Sequence, residues 1–531
     1  MTGLALFVLA VYTVSLLYIT VYCLLQFNLL YHYKQSNNPT KHPVSFADMV
    51  PTEASTQEFM LVGAAPGFAL SGSSLAPAAE PTEYYYPFVT IQLPIYNELY
   101  VIARLIDACT KFDYPKDRFE IHILDDSTDE TVEIVAEKVK EYKAKGFNVD
   151  QIIRAKRQGF KAGALRDAMP RANGEFIAIF DADFVPDPSF LQRTIPHFAD
   201  PKVGVVQTRW EHINEDYNII TRLQALQLNV HFTVEQTGRM NGDHLLQFNG
   251  TAGVWRTKTI AAGGGWQPDT LTEDLDLSIR SQLAGYKIHF LEEVGSPAEL
   301  PVEMNSFKSQ QHRWMKGGAE TAKKMLPSVW KSDLALGHKV QATAHLLGST
   351  IFLFVFLCGV FSVPLLFLMG ELSVFGINKD IFAIFLTGLL SVIGIYYTAN
   401  VNSVAVEGQS FSKKILKFIV LFPLFLALSM GLSLHNTVAV LQGYRGKKSP
   451  FVRTPKFNIN TVKDKLKASK YMKGKLNLIT VGEGLLSLYF LAGIAGAFYL
   501  QNATFIFFHG LLAIGYGAIF FFSVKHLKFV Q

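Results

Sequence analysis

The amino-acid sequence predicts an α/β fold, a mostly parallel sheet wrapped by helices, joined to a helical transmembrane domain with interfacial helices. Three observations lead there. Both ends of the 531-residue chain hold long uncharged runs, whereas Tyr85 to Lys331 has the mixed composition of a water-facing domain. Within that middle region short β-branched runs alternate with helical stretches, the pattern of a parallel sheet covered by helices. The runs end in polar clusters, and open α/β sheets bind ligands at the carboxyl ends of their strands.

Composition supports the division. The chain is 49% hydrophobic and 18% charged, with 42 Phe, whereas a soluble domain carries about 25% charged residues. Disorder is excluded, and an ordinary cytosolic enzyme is argued against. The net charge of +5 is mild, and no basic stripe interleaved with aromatics marks a nucleic-acid surface. Cys23, Cys109 and Cys358 are far apart, two of them in apolar runs; neither a disulfide framework nor a zinc cluster is expected, and a reducing cytosolic face is.

Leu4 to Leu30 carries no charge, and about 20 apolar residues suffice to cross a bilayer. A cleaved leader would need a basic start, a shorter apolar stretch and a small-residue cleavage site, so residues 1–33 read as an anchor. Further apolar runs lie at 346–369, 381–399, 415–434, 478–500 and 505–524. Counting all as spans would place 443–475 outside, yet that loop runs from Arg445 through Lys475 with many basic residues against Asp464 alone. The positive-inside rule opposes this. The stretch 412–441, entered through Lys413, Lys414 and Lys417 and interrupted by Pro423, is therefore expected to lie along the inner interface. Five spans remain, with every large basic loop inside. The expected organisation is an anchor (1–33), a Pro/Ala/Ser/Gly-rich linker (34–84), a cytosolic domain (85–335) and a membrane domain (336–531). The location is a multi-pass membrane protein, in the plasma (inner) membrane if the source is bacterial.

In the cytosolic domain strands are expected at 88–93, 120–124, 150–154, 176–180 and 203–207. The clusters Pro94-Ile-Tyr-Asn-Glu98, Asp125-Asp-Ser127 and Asp181-Ala-Asp183 follow three of them. Neither a G-x-G-x-x-G nor a G-x-x-x-x-G-K motif is present, which argues against a Rossmann cofactor or a P-loop. Asp181 and Asp183 leave the sheet on one face, and such oxygen ligands suit Mg2+ or Mn2+ completed by substrate phosphates. Alone, such a pair reads as turn or cap carboxylates, and Asp125-Asp126 could cap the following helix; two acidic clusters at one sheet edge exceed what capping needs. Glu273, Asp274 and Asp276 open an amphipathic helix, where the dipole favours carboxylates and where a general base could also sit. Lys161 could meet a phosphate as a point charge. Gln310-Gln-His-Arg-Trp314 joins a guanidinium, an amide and an aromatic plane just before the membrane, readable as a structural pair or as a phosphate and sugar site.

In order, Asp125-Asp126, Asp181-Ala-Asp183, Thr272-Glu-Asp274 and Gln310-Gln-His-Arg-Trp314 resemble the motif series of the inverting family 2 glycosyltransferases, in the membrane-embedded cellulose-synthase-like branch. The stretches Gln92 to Glu98, Leu124 to Asp129, Phe180 to Phe184, Phe232-Thr-Val-Glu-Gln236 and Phe248 to Arg256 are most similar to mannan and glucomannan synthases and their bacterial relatives. The resemblance covers about 85–340 and extends to the topology. It implies a GT-A-type nucleotide-sugar domain, with nucleotide contacts from Pro94, Tyr96, Glu98, Asp125, Asp126, Lys161 and Asp181. Asp181 and Asp183 would hold the metal and Asp274, beside Glu273, would be the base. Gln310, Arg313, Trp314, Asn249, Gly250 and Thr251 would meet the diphosphate and acceptor. Phe451, Arg453, Thr454 and Lys456 resemble a gating loop, departing from its pattern at Arg453 and Pro455. The implied partners are a nucleotide sugar (UDP-glucose or GDP-mannose), a growing glycan and membrane lipids, and no nucleic acid. Alternatives are transfer of one sugar to a membrane lipid, as in ceramide and diacylglycerol glucosyltransferases, and an inert scaffold that binds nucleotide without turnover.

Overall fold

The computed structural model describes residues 3–35, 45–49, 85–374, 386–448, 454–459, 464 and 476–527. The region between the terminal apolar helices is built on a seven-stranded sheet: β1 Val89–Ile95, β2 Phe119–Asp125, β3 Val149–Ile153, β4 Phe176–Ile179, β5 Val203–His212, β6 Gly253–Arg256 and β7 Lys287–Ala298. Their spatial order is β3-β2-β1-β4-β6-β5-β7. β1 lies between β2 and β4, parallel to both, with Ile95 opposite Asp125 and Gln92 opposite Ile179. Strands covered on both faces read as unbroken apolar runs, and Ile121, Ile123, Phe176, Ala178, Val89 and Ile91 are all buried in one cluster. A second cluster, with Ile177, Ile179, Val205, Trp255 and Phe290, covers the other face.

The five expected strands are present within two residues at most ends, β5 alone running on to His212. Two others were not legible. β6 is four residues long and antiparallel to both β4 and β5, too short to show a period. β7 contains Glu292, Glu293 and Pro297, residues that argue against a strand; it lies at the sheet edge, where proline is tolerated. Its pairing with β5 shifts register between Thr208 and Arg209. The chain leaves β1 towards β2 on one side and reaches β4 on the other, which opens a crevice at the carboxyl ends of these strands.

Among the described residues, five helices are long and apolar enough to cross a membrane: Gly3–Gln35, Gly348–Leu372, Phe411–Gly431, Leu478–Tyr499 and Ala503–Leu527. The expected span at 381–399 lies partly outside the described residues, and its described helix, Leu386–Val401, is shorter. The stretch expected as one interfacial helix is two, Phe411–Gly431 and Ser433–Tyr444. A Cβ at Gly431 or Gly515 would collide with the facing backbone, so glycines let Phe411–Gly431 and Ala503–Leu527 touch directly. The sheet domain is tied to the first helix, where Tyr33 donates to Glu292 at 2.9 Å and Gly238 admits the Leu29 carbonyl.

Candidate active site

The expected residues converge on the crevice from separate elements. Pro94, Tyr96 and Glu98 lie at or just beyond the end of β1, Asp125 and Asp126 at the end of β2, and Asp181 and Asp183 beyond β4. Glu273 and Asp274 open the helix Glu273–Leu283, which places their carboxylates at its positive end. Gln310, Arg313 and Trp314 share one face of the helix Met304–Lys331, being three and four residues apart.

Lys161 is the hub. Its Nζ donates to Asp181 Oδ1 at 2.5 Å and to the Gly250 carbonyl at 2.8 Å. Burial lowers its pKa, but Asp181, Glu273 and Asp274 outweigh burial and raise it overall. The Asp181 amide donates to Thr251 Oγ1 at 2.8 Å. Gly250 has a positive φ of 80°, and a Cβ there would stand 2.9 Å from Asp274 Oδ2; only glycine brings the backbone this close to the carboxylate. Glu273 and Asp274 lie side by side, half-buried, and desolvation raises both pKa values well above the carboxylate range. Arg313 donates to Thr454 Oγ1 at 2.9 Å. Burial lowers its pKa to about 10, against the opposing fields of Asp181, Glu273, Glu98 and Asp183.

From the loop expected to gate the site, Lys456 Nζ reaches Asp183 Oδ2 at 2.6 Å and the Glu299 carbonyl at 2.7 Å. Glu299 Oε1 accepts from the Phe457 amide at 2.9 Å. Phe451 and Arg453 lie outside the described residues. At the other end, Asp125 accepts from Gln151 at 2.8 Å and from the Ser127 amide at 2.9 Å. Asp126 is held by both Arg154 Nε at 3.0 Å and Arg154 Nη2 at 2.5 Å.

Sequence reasoning missed four contributors. The Arg157 guanidinium lies over the Tyr96 ring at 3.3 Å from its centroid; the basic run Arg154 to Arg157 was the available signal. Arg154 itself was read only as a strand end. Glu299 gave no signal. Gln207, the last residue of an expected strand, is fully buried and clamps the loop before β6, donating to the carbonyls of Thr251 and Ala252 and accepting from the Asn249 amide at 2.9 Å.

Residues 90–259 match the model of Glycosyl transferase family 2, and residues 176–431 that of Glycosyl transferase family group 2. The region that the two models span, residues 90–431, is thus family 2 glycosyltransferase sequence. It is similar to Probable glucomannan 4-beta-mannosyltransferase 4 of Oryza sativa subsp. japonica, 39% identical over 303 residues that make up 54% of each chain. It is 41% identical over 253 residues to Glucomannan 4-beta-mannosyltransferase 7 of Arabidopsis thaliana, covering 47% of this chain and 46% of that one. The chain thus spans about half the length of the curated relatives it matches. Among solved structures, a mannosyltransferase from Pyrobaculum calidifontis in complex with GDP-Man and Mn2+ is 19% identical, with a TM-score of 0.47, covering 70% of this chain and 90% of that one.

Proposed function

We propose that the protein is an inverting, nucleotide-sugar-dependent hexosyltransferase that builds a β-linked polysaccharide and passes it through its own membrane helices. The observation that carries the reading is the half-buried Glu273–Asp274 pair facing Lys161, Asp181 and Arg313 at the carboxyl edge of the sheet. The names of the plant relatives favour a mannosyl unit, so GDP-mannose stands ahead of UDP-glucose as donor.

Asp274 takes the proton of the acceptor hydroxyl as that oxygen attacks the anomeric carbon. Its raised pKa brings it closer to neutrality, where a general base works best. Attack in one step on an α-linked donor inverts it to a β-linkage. The diphosphate gathers negative charge as it leaves, and the cations Lys161 and Arg313 are already in place to stabilise it. Tyr96, with Pro94, Glu98, Asp125 and Asp126, forms the nucleotide side; Gln310, Trp314, Asn249, Gly250 and Thr251 form the acceptor side, Trp314 stacking on a sugar ring. Thr454 and Lys456 belong to a gating loop with Phe451 and Arg453.

The donor set fits Mg2+ or Mn2+. Asp181 and Asp183 are oxygen ligands at one edge, and each gives only one carboxylate oxygen to its lysine. Among the described residues no group of three or more His, Cys, Asp or Glu forms a metal cage, which suits an ion completed by substrate phosphates. When bound there, the ion supplies Lewis-acid neutralisation of the diphosphate. The charge pattern supports a cytosolic catalytic domain with spans at 1–33, 346–369, 381–399, 478–500 and 505–524, and an interfacial 412–441 segment even though Phe411–Gly431 is long and apolar enough to cross.

The test is purified protein in nanodiscs with Mg2+ or Mn2+, offered labelled GDP-mannose and UDP-glucose in parallel, with the product sized after digestion by linkage-specific glycanases. A large β-mannanase- or β-glucanase-sensitive product is expected. One sugar confined to the lipid fraction would replace this reading with lipid glycosylation, and nucleotide binding without turnover would replace it with an inert scaffold.

A further inference from the structure

The motif Phe232-Thr-Val-Glu-Gln236 has no part in the chemistry above, yet it is where the backbone departs from ordinary helix. The helix Ile219–Val230 passes through one π-helical turn, His231–Glu235, before continuing as Gln236–Asn241. Such turns occur frequently at functional sites.

On that turn His231 Nδ1 meets Glu235 Oε2 at 3.0 Å, and its Nε2 meets Asn249 Oδ1 at 2.7 Å. Burial works to raise the Glu235 pKa, but Arg239 and His231 hold it down to about 2, so the carboxylate is a firm anchor behind the imidazole. Asn249 Oδ1 also accepts from Gln247 Nε2 at 2.8 Å, and Gln247 Oε1 meets His345 Nε2 at 2.9 Å. The backbone amide of Asn249 is taken by Gln207. Asn249 Oδ1 is thus held between His231 and Gln247. The other end is different: Asn249 is 9% exposed, and its Nδ2 has no partner among the described residues. A buried donor left unmatched is costly and calls for a ligand oxygen. The next residue, Gly250, is the one whose backbone lies against Asp274 and Lys161.

We infer that His231, anchored by Glu235, is a positioning residue that turns the Asn249 amide so that Nδ2 donates to a sugar hydroxyl of the acceptor beside Asp274. The inference rests on the glycosyl-transfer reading and assigns a source of acceptor specificity to the π turn. It requires no covalent step by either residue.

The experiment uses the full chain in nanodiscs and reads three quantities: nucleotide affinity, donor hydrolysis in water, and transfer to added mannohexaose and cellohexaose. Loss of one oriented hydrogen bond corresponds to about tenfold in binding. His231→Ala is therefore expected to raise the acceptor KM about tenfold, with nucleotide affinity and donor hydrolysis unchanged. His231→Gln, which keeps an amide donor, is expected to recover most of the loss. Asn249→Asp, which keeps the shape but cannot donate, is expected to raise the acceptor KM as His231→Ala does, and the double variant to raise it no further than either single one. Equal loss of hydrolysis and transfer in His231→Ala, or an unchanged acceptor KM in both single variants, would overturn the proposal while leaving glycosyl transfer intact. Absence of donor turnover in the unmodified protein would overturn the underlying reading and this inference with it.

Discussion

One helix, Met304–Lys331, carries two cations five residues apart into two different settings. Lys308 forms a closed pair with Glu483 of the helix Leu478–Tyr499, at 2.7 Å, with Thr480 as its second partner at 3.2 Å. Their side chains are 5% and 0% exposed. Arg313 instead faces a crevice in which Asp181, Asp183, Glu98, Glu273 and Asp274 meet the cations Lys161, Lys456 and Arg313. One charge matched to one charge leaves no capacity for a ligand, so the first site is a staple between domain and membrane. A crevice with more carboxylates than cations, two of them with pKa values raised towards neutrality by desolvation, has a proton and a charge balance to change. Strongly perturbed groups with specific partners in a cleft mark function; a sealed pair does not.

The sharpest way to break this comparison is Asp274→Asn. Losing a general base costs about 10²–10⁴-fold in rate, and transfer is expected to fall in that range while nucleotide affinity stays near that of the unmodified protein. An equal fall in affinity would make Asp274 a nucleotide ligand. On the other side, Lys308→Met alone strands Glu483 and is expected to destabilise by about 3–5 kcal/mol, read as a lowered unfolding midpoint in detergent. The double change Lys308→Met with Glu483→Leu is expected to restore most of it. Full activity per folded molecule in that double variant would confirm the staple.

A smaller effect is expected with pH. The folded pKa values of the coupled Glu273–Asp274 pair lie above their unfolded ones, so the stability the pair contributes is complete below the ordinary carboxylate pKa. It is lost as pH rises through the raised values towards neutrality. Activity runs the other way, because Asp274 becomes a base only as that proton leaves. Rate and unfolding temperature are therefore expected to move in opposite directions across that window, and Asp274→Asn to flatten the rate profile. The smallest expected effect is Trp314→Ala, which is predicted to slow chain elongation by about tenfold, the worth of one stacked ring, with little change in donor hydrolysis. Equal loss of both would make the tryptophan structural.

The site was legible to the extent that its residues sit next to punctuation in the chain. Asp125, Asp181 and their neighbours follow apolar strand runs, and Glu273 and Asp274 open a helix with its own periodicity. What could not be read was every contact made across long separations. Lys456 meets Asp183 across 273 residues, and Thr454 meets Arg313 across 141; nothing local marks either pairing. Glu299 and Gln207 gave no chemical signal, since each acts by holding a loop. His231 and Glu235 stand four apart, a spacing common on any helix, and only the π turn and the neighbouring Asn249 give it meaning.

The sequence alone therefore determined the α/β class, the membrane attachment and the order of the acidic motifs, because hydrophobic period, turn residues and charge are local properties. The tertiary structure decided that β6 enters the sheet antiparallel and that β7 closes its edge. It also decided which cation stands against which carboxylate. Those outcomes depend on burial and on distances between remote segments, and these exist only once the chain has packed.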